Sequence, residues 1–359
     1  MSSVRASENV QRKLDHVDVA LHEDVEFATI TAGFERFMLP YEALPEIDRS
    51  EVDTSCTLLG RRLEMPLIIS PMTGGTDEGR ALNRVFAEAA QRAGIAMGVG
   101  SQRVAIEDPR LSDTFQVRDI APDVLLFANL GAVQLKNGCG VDSCARAVEM
   151  IGADALMLHI NPLQECIQTH GNTNFGGLAA RIAEVCEKLD VPVVVKEVGH
   201  GISARTAGLL ADAGVAGIDV AGAGGTSWAK VEMLRRSGRA PILSPELVEG
   251  SKGVPACPLE ETLGEWGIPT VDSLLAVREV ATDLTLIASG GVRAGEHIAK
   301  SITLGADAAA MALPLLRCAA VSREALFDRI DQLREELATV MFCAGARTVS
   351  DLRGRFSPA

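Results

Sequence analysis

Residues 284–293 read LTLIASGGVR. An unbroken apolar and β-branched run from Leu284 to Ala288 is followed by a Ser-Gly-Gly turn, and a helical pattern opens at Gly295. A run that is apolar throughout, rather than in alternation, belongs to a strand covered on both faces. Seven more such runs occur, at 66–70 (PLIIS), 95–99 (IAMGV), 124–128 (VLLFA), 155–160 (ALMLHI), 192–196 (PVVVK), 216–220 (AGIDV) and 308–311 (AAAM). Helical patterns fall between most of them, at 78–93, 178–189, 204–213, 271–281, 295–304 and 323–341. Eight strands alternating with helices predict parallel βαβ units closed into an α/β (β/α)8 TIM barrel. Residues 66–359 are assigned to the barrel and residues 1–65 to an N-terminal extension packed on it. Residues 237–264 carry four prolines and little periodicity, which predicts a long loop after the sixth strand. No repeat is expected beyond the βα unit.

Composition narrows the class. The chain has 359 residues, 47% hydrophobic and 23% charged, as globular proteins do. Its formal net charge of −14 argues against broad nucleic-acid binding. Residues 306–316, the longest apolar stretch, contain Asp307 and Pro314 and are too short to span a bilayer. The polar start, residues 1–12, lacks the apolar core of a signal peptide. The eight cysteines are scattered with no C-x-x-C pair, so reduced thiols and a cytoplasmic enzyme are expected.

Barrel chemistry sits at the C-terminal ends of the strands. Gly-rich, mostly uncharged segments stand there: Met72-Thr73-Gly74-Gly75, Gly100-Ser101-Gln102-Arg103, Asn129-Leu130-Gly131 and Gly222-Ala223-Gly224-Gly225-Thr226. Gly290-Gly291-Val292-Arg293, with Ala312 and Leu313, follows the seventh and eighth strands. Those loops commonly bind phosphate, although a plain tight turn would read the same way. The segment 222–227 is not a dinucleotide fingerprint, because Ser227 stands where G-x-G-x-x-G needs glycine. His159 closes an apolar run as either a core histidine or a ligand. Gln164 and Glu165 are either a solvated pair or, at a strand mouth, an amide and a carboxylate suited to Mg²⁺. Lys196 ends three valines and needs an anion: Glu197, another carboxylate, a flavin or a phosphate.

The segments MTGGT, GSQR, ANLGA, LHINPLQE, VVVKEVGHGIS, GIDVAGAGGTSW, ASGGVR and AMALPLL, preceded by RKLDH and LHEDVEF and followed by MFCAGA, resemble the type 2 isopentenyl diphosphate isomerases. The likeness runs from about Arg12 to Leu352. It implies a flavoprotein that interconverts isopentenyl and dimethylallyl diphosphate with reduced FMN, Mg²⁺ and NADPH as reductant. By position, Met72, Thr73, Gly74, Ser101, Asn129, Lys196 and Thr226 would contact FMN, with Gly291, Val292, Arg293, Ala312 and Leu313 at its phosphate end. Arg12, Lys13, Ser101, Gln102, Arg103, His159, Asn161 and Gln164 resemble the substrate-binding set. Gln164 would also serve catalysis, and Glu165 would ligate Mg²⁺. The family also implies a homo-oligomer, a tetramer or octamer. Two departures stand out: residues 237–264 are long, and THGNTNF follows Gln168 where an acidic residue and Trp are commoner.

Three rivals are weighed against this, of which nucleotide dehydrogenases with a similar barrel need a catalytic Cys after the sixth strand, and residues 222–228 contain none. FMN barrels of the 2-hydroxy-acid oxidase type need a histidine base in an H-G-x-R-Q motif, and no His lies between Gly201 and Glu296. A non-catalytic flavin-binding protein would have no use for Arg103, His159, Gln164 and Glu165 together.

Overall fold

The computed structural model describes residues 2–236 and 263–358. In chain order the strands are β1 (Phe37–Met38), β2 (Cys56–Leu58), β3 (Arg61–Leu63), β4 (Leu67–Ile69), β5 (Ala96–Gly98), β6 (Leu126–Gly131), β7 (Ala155–His159), β8 (Val193–Lys196), β9 (Gly217–Asp219), β10 (Thr285–Ser289), β11 (Ala308–Met311) and β12 (Ser357–Pro358). The helices are α1 (Ser2–His22), α2 (Asp77–Ala93), α3 (Arg103–Glu107), α4 (Val141–Ile151), α5 (Pro162–Ile167), α6 (Leu178–Lys188), α7 (Ala204–Asp212), α8 (Trp228–Arg236), α9 (Thr270–Val280), α10 (Gly295–Thr303), α11 (Leu313–Val321) and α12 (Arg323–Cys343).

Strands β4 to β11 close into one parallel barrel, sealed where Ala309 of β11 pairs with Leu67 of β4. The (β/α)8 expectation holds, and each barrel strand falls on one of the eight apolar runs. The reason is visible in the packing. Ile68, Ala96, Phe127, Met157, Val194 and Ile287 fill the barrel interior, while their neighbours Leu67, Ile69, Leu126, Leu158, Val195 and Leu286 face the helices. With apolar surface needed on both sides, no polar alternation survives. Leu58 and Leu63 of the β2–β3 hairpin join the interior cluster and plug the N-terminal end. Caps delimit the helices: Thr76 accepts the Gly79 N–H at 2.9 Å, and Gly94 ends α2 at φ 65°.

The structure overturns the expectation of no repeat beyond βα. Just before β6, Arg118 donates to the carbonyls of Gly152 and Val124 and reaches Asp154 at 2.5 Å. Asp154 accepts the Leu126 N–H at 2.9 Å and meets Arg61 at 2.5 Å. Four strands further round, Arg278 donates to the carbonyls of Gly305 and Leu284 and reaches Asp307 at 3.2 Å. Asp307 accepts the Leu286 N–H at 2.8 Å and meets Arg353 at 2.5 Å. Both aspartates lie in Gly-Ala-Asp-Ala, at 152–155 and 305–308, so the same staple joins a strand pair in each half-barrel.

Helices α1, α3, α4, α5, α8 and α11 arise where the sequence reading placed none. The expected loop at 237–264 lies, except for its last two residues, outside the described residues. No helix among the described residues is long and apolar enough to cross a membrane.

Candidate active site

A cavity of about 230 Å³ opens at the C-terminal ends of the strands. Helix α1 covers it, packing against α3, α8 and α11 and lowering Arg12, Lys13 and His16 over the strand ends. Fifteen of the residues singled out by sequence line this one space: Arg12, Lys13, Met72, Thr73, Ser101, Arg103, Asn129, His159, Asn161, Gln164, Glu165, Lys196, Thr226, Ala312 and Leu313.

Three of them form a compact polar unit. Asn161 precedes α5, and its Nδ2 donates to Gln164 Oε1 at 2.7 Å and to Glu165 Oε1 at 3.3 Å. Glu165 Oε2 accepts the Asn172 N–H at 2.5 Å. All three side chains are buried. Asn161 Oδ1 is buried and has no hydrogen-bond partner among the described residues, which is costly unless a ligand supplies one. An amide oxygen beside one carboxylate suits a hard divalent cation that keeps waters and takes phosphate oxygens. Three or more His, Cys, Asp or Glu side chains do not converge on a metal position anywhere among the described residues, so a cage built from protein alone is absent there.

Opposite stand the cations. Lys13 Nζ donates to the carbonyls of Gly74 and Ser101, each at 2.7 Å, and lies 5.0 Å from the centre of the Phe115 ring. Burial, reinforced by the Arg12 charge, lowers the ammonium to about 7. Burial also pulls Arg12 down, opposed by Glu232 and then, after the repulsion of Arg103, by Glu165. Arg103 is held by Glu107 at 2.8 Å. His159 shares a 3.0 Å hydrogen bond between Nδ1 and Asn129 Oδ1. Burial and the nearby Lys196 and Lys13 lower its imidazole to about 4, so it is neutral at pH 7. A carbonyl oxygen only accepts, so Nδ1 carries the proton and Nε2 is an acceptor.

Lys196 is buried at the end of β8, with Nζ 2.8 Å from the Glu197 carbonyl and 3.5 Å from Asp219 Oδ2. Its carboxylate partner is therefore Asp219. The Glu197 side chain instead accepts the N–H groups of Val198, Gly199 and His200 at 2.5–2.7 Å, and burial raises its carboxyl.

The remaining sequence candidates stand outside the cavity lining. Gln102 is fully buried, donating to Ala147 O at 2.8 Å and accepting the Asn129 N–H at 2.9 Å, so its carboxamide braces β6. Gly74 forms the turn behind Thr73 at φ 147°. Gly291 and Val292 belong to the turn after β10, and Arg293 makes an ion pair of 2.5 Å with Glu26. That turn packs backbone to backbone on the loop after β9: a Cβ on Gly225 would run into the Gly291 N, and one on Gly290 into Gly222. Glycine is needed at these positions because the two loops approach backbone to backbone.

Sequence reasoning missed a buried pair at the roof. His16 Nε2 lies 2.8 Å from Glu232 Oε2, and Arg235 holds Glu232 Oε1 at 2.6 Å. The His16 ring meets Trp228 edge-on at 5.2 Å. The one available signal was Glu232 falling a helical turn after Trp228.

The FMN-dependent dehydrogenase family profile matches residues 6–114 and 159–357. An isopentenyl-diphosphate delta-isomerase of Nostoc sp. is 48% identical over 355 residues, covering 97% of this chain and 95% of the relative. One from Stutzerimonas stutzeri is 48% identical, covering 96% and 95%. One from Rickettsia rickettsii is 43% identical, covering 96% of each. Among solved structures, a mandelate oxidase variant shares the fold, with a TM-score of 0.62 at 18% identity over 98% of this chain and 100% of that one.

Proposed function

The chain belongs to the FMN-dependent dehydrogenase family and, within it, to the isopentenyl-diphosphate delta-isomerases, and from that premise we propose that it shifts the substrate double bond with reduced FMN and Mg²⁺, NADPH serving as the reductant. The observation that supports this reading is one cavity whose lining brings the buried Asn161, Gln164 and Glu165 together with Arg12, Lys13 and Arg103. A diphosphate needs the cations, and a proton shift needs the enclosed polar amides.

Met72, Thr73, Asn129, Lys196 and Thr226 would hold the flavin ring. Gly74 and Ser101 would contact it from the turns behind Thr73 and Gly100. Gly291, Val292 and Arg293, with Ala312 and Leu313, would hold its phosphate. When bound, reduced FMN supplies an electron-rich ring that stabilises positive charge and a nitrogen able to carry a proton. Glu165 would hold Mg²⁺, with Asn161 Oδ1 beside it. Arg12, Arg103 and Lys13 would anchor the diphosphate, and His159 would join them only by taking a proton on Nε2 as the anion seats, while Ser101 and Gln102 would shape the strand end beneath it. The reaction adds a proton at the terminal alkene carbon and removes one at C2, with positive charge developing at the tertiary carbon between. Helices α1 and α8 keep water from that carbon. The Gln164 amide does not titrate near neutrality, so it orients or relays a proton rather than acting as a free base. Because its Oε1 accepts from Asn161, its Nε2 is the group left to donate into the cavity.

The oxidase alternative finds little support here. Neither His200 nor His297, the histidines that bracket the region where that motif would fall, lines the cavity. We further infer a cytoplasmic homo-oligomer, a tetramer or octamer, in which residues 1–65 act as an extension of the barrel. Light scattering on the purified protein measures the assembly.

The test is an isomerase assay on the purified, yellow holoprotein. Turnover of isopentenyl diphosphate is expected only with reductant and Mg²⁺ together; none under those conditions would sink the proposal. Gln164→Asn shortens the amide by one methylene and should lower kcat at least ~100-fold with the flavin spectrum unchanged. Loss of flavin instead would remove Gln164 from its assigned role.

A further inference from the structure

Residues 24–36 cross the barrel mouth as a strap lying on the loops that follow β9 and β10. Phe27 donates its N–H to Gly225 O at 3.0 Å, and Ser227 donates to Val25 O at 2.8 Å. A Cβ on Gly224 would collide with the backbone of Thr31 and Ala32, and one on Gly291 with the Ala32 side chain. Glu265 fastens the strap from outside, accepting the N–H groups of Ala28 and Thr29 at 2.8 and 2.9 Å while bound to Lys230 at 2.5 Å.

From this strap Glu26 joins two partly exposed arginines, Arg293 at 41% and Arg317 at 45% side-chain exposure. Glu26 Oε1 meets Arg293 Nη2 at 2.5 Å, and Oε2 meets Arg317 Nη1 at 3.5 Å. Arg293 ends the Gly-Gly-Val turn after β10. Arg317 sits one helical turn into α11, the helix that follows β11. These are the two loops to which the flavin phosphate is assigned. A single anionic side chain thus spans an arginine at the end of the first loop and one in the helix that follows the second, and a phosphate arriving there would meet a carboxylate already in place.

We propose that Glu26 is an internal counter-anion that competes with the flavin phosphate for Arg293 and Arg317, coupling cofactor loading to the seating of the strap. This rests on the FMN reading above. The carboxylate neutralises both arginines until a phosphate replaces it. Once a phosphate dianion takes over those arginines, the same carboxylate becomes a repulsive neighbour.

The experiment titrates flavin-stripped full-length protein with FMN and with riboflavin, which lacks the phosphate, following quenching of flavin fluorescence. Glu26→Gln keeps the shape of the side chain and removes its charge. It should tighten FMN binding by roughly 2- to 5-fold, in line with a partly exposed ion pair, and leave riboflavin unchanged. Arg317→Gln should weaken FMN binding more in the Glu26→Gln background than alone, because in the native protein Arg317 is partly masked. An unchanged or weaker FMN affinity in Glu26→Gln, equal tightening of riboflavin, or identical Arg317→Gln effects in both backgrounds would overturn the inference while leaving the flavin reading intact. Failure of the native chain to bind FMN at all would overturn the flavin reading and this inference with it.

Discussion

Lys13 shows how a burial decision becomes a functional one. Two carbonyls favour its charged form, but burial and Arg12 disfavour it more, and the ammonium falls from its ordinary 10.5 to about 7. Above pH 7 the free protein therefore carries Lys13 largely neutral. A diphosphate seated beside it favours the charged form and pushes the pKa back up. Substrate binding between pH 7 and 10.5 must then take up a proton, and below about pH 6, where Lys13 is already charged, it must not. Calorimetric titration at pH 8.5 in buffers of different ionisation enthalpy should report close to one proton taken up, and Lys13→Met should abolish it. No uptake by the native protein would mean that Lys13 does not meet the diphosphate. The sequence placed Lys13 at the substrate because it sits in RKLDH, yet the carbonyl acceptors that fix it come from two distant strand ends. The same limit hid Glu232 and Asp219. Each is a single carboxylate in an unremarkable local pattern, and only tertiary packing sets it against His16 or Lys196. Gln102 is the converse, since adjacency to Arg103 in sequence says nothing about its carboxamide turning back toward α4.

Among the elements, legibility followed burial. Barrel strands were readable because both faces are covered, which leaves a continuous apolar run. Helix α2 was readable from its apolar spacing and its Thr76 and Gly94 boundaries. The strap at 24–36 has no period, because its course is dictated by glycines some 200 residues away rather than by its own residues. Helices α4, α8 and α11 were masked by the site motifs around them and by short apolar faces. The half-barrel staples were overlooked because Gly-Ala-Asp-Ala is too short to register as a repeat until both copies are seen beneath equivalent strands. Their symmetry supports a prediction. Arg278→Met removes donors from the Gly305 and Leu284 carbonyls and leaves Asp307 with Arg353 and the Leu286 N–H. Losing one partner of such a network costs about 2–3 kcal/mol. The unfolding midpoint in urea should fall accordingly, and Arg118→Met should match it. Flavin content at low temperature should hold, since both staples lie at the end of the barrel opposite the cavity. An unaltered midpoint in both variants would show that the staples add nothing to stability.

For the molecule as a whole, the net charge of −14 and a diphosphate substrate stand in tension. The resolution is one of length scale. Arg12, Lys13 and Arg103 converge on the cavity, while the acidic excess is spread over the surface and acts from further away. Salt separates the two, because the Debye length is ~30 Å at 0.01 M, ~10 Å at 0.1 M and ~3 Å at 1 M. Moving from the first to the second screens the distant negative field while leaving contacts inside the cavity nearly intact. Substrate affinity should therefore rise, or at least hold, over that range. Between 0.1 M and 1 M the local attraction is screened in turn, and affinity should fall. The native protein is thus expected to show a maximum in substrate affinity at intermediate ionic strength, measured by equilibrium binding of isopentenyl diphosphate at fixed Mg²⁺ activity. Arg103→Gln removes part of the local term only, so its descending limb should flatten while the rising limb persists. A monotonic fall from the lowest salt onward in the native protein would mean that the positive mouth dominates at every distance and that the surface charge is not felt by the substrate.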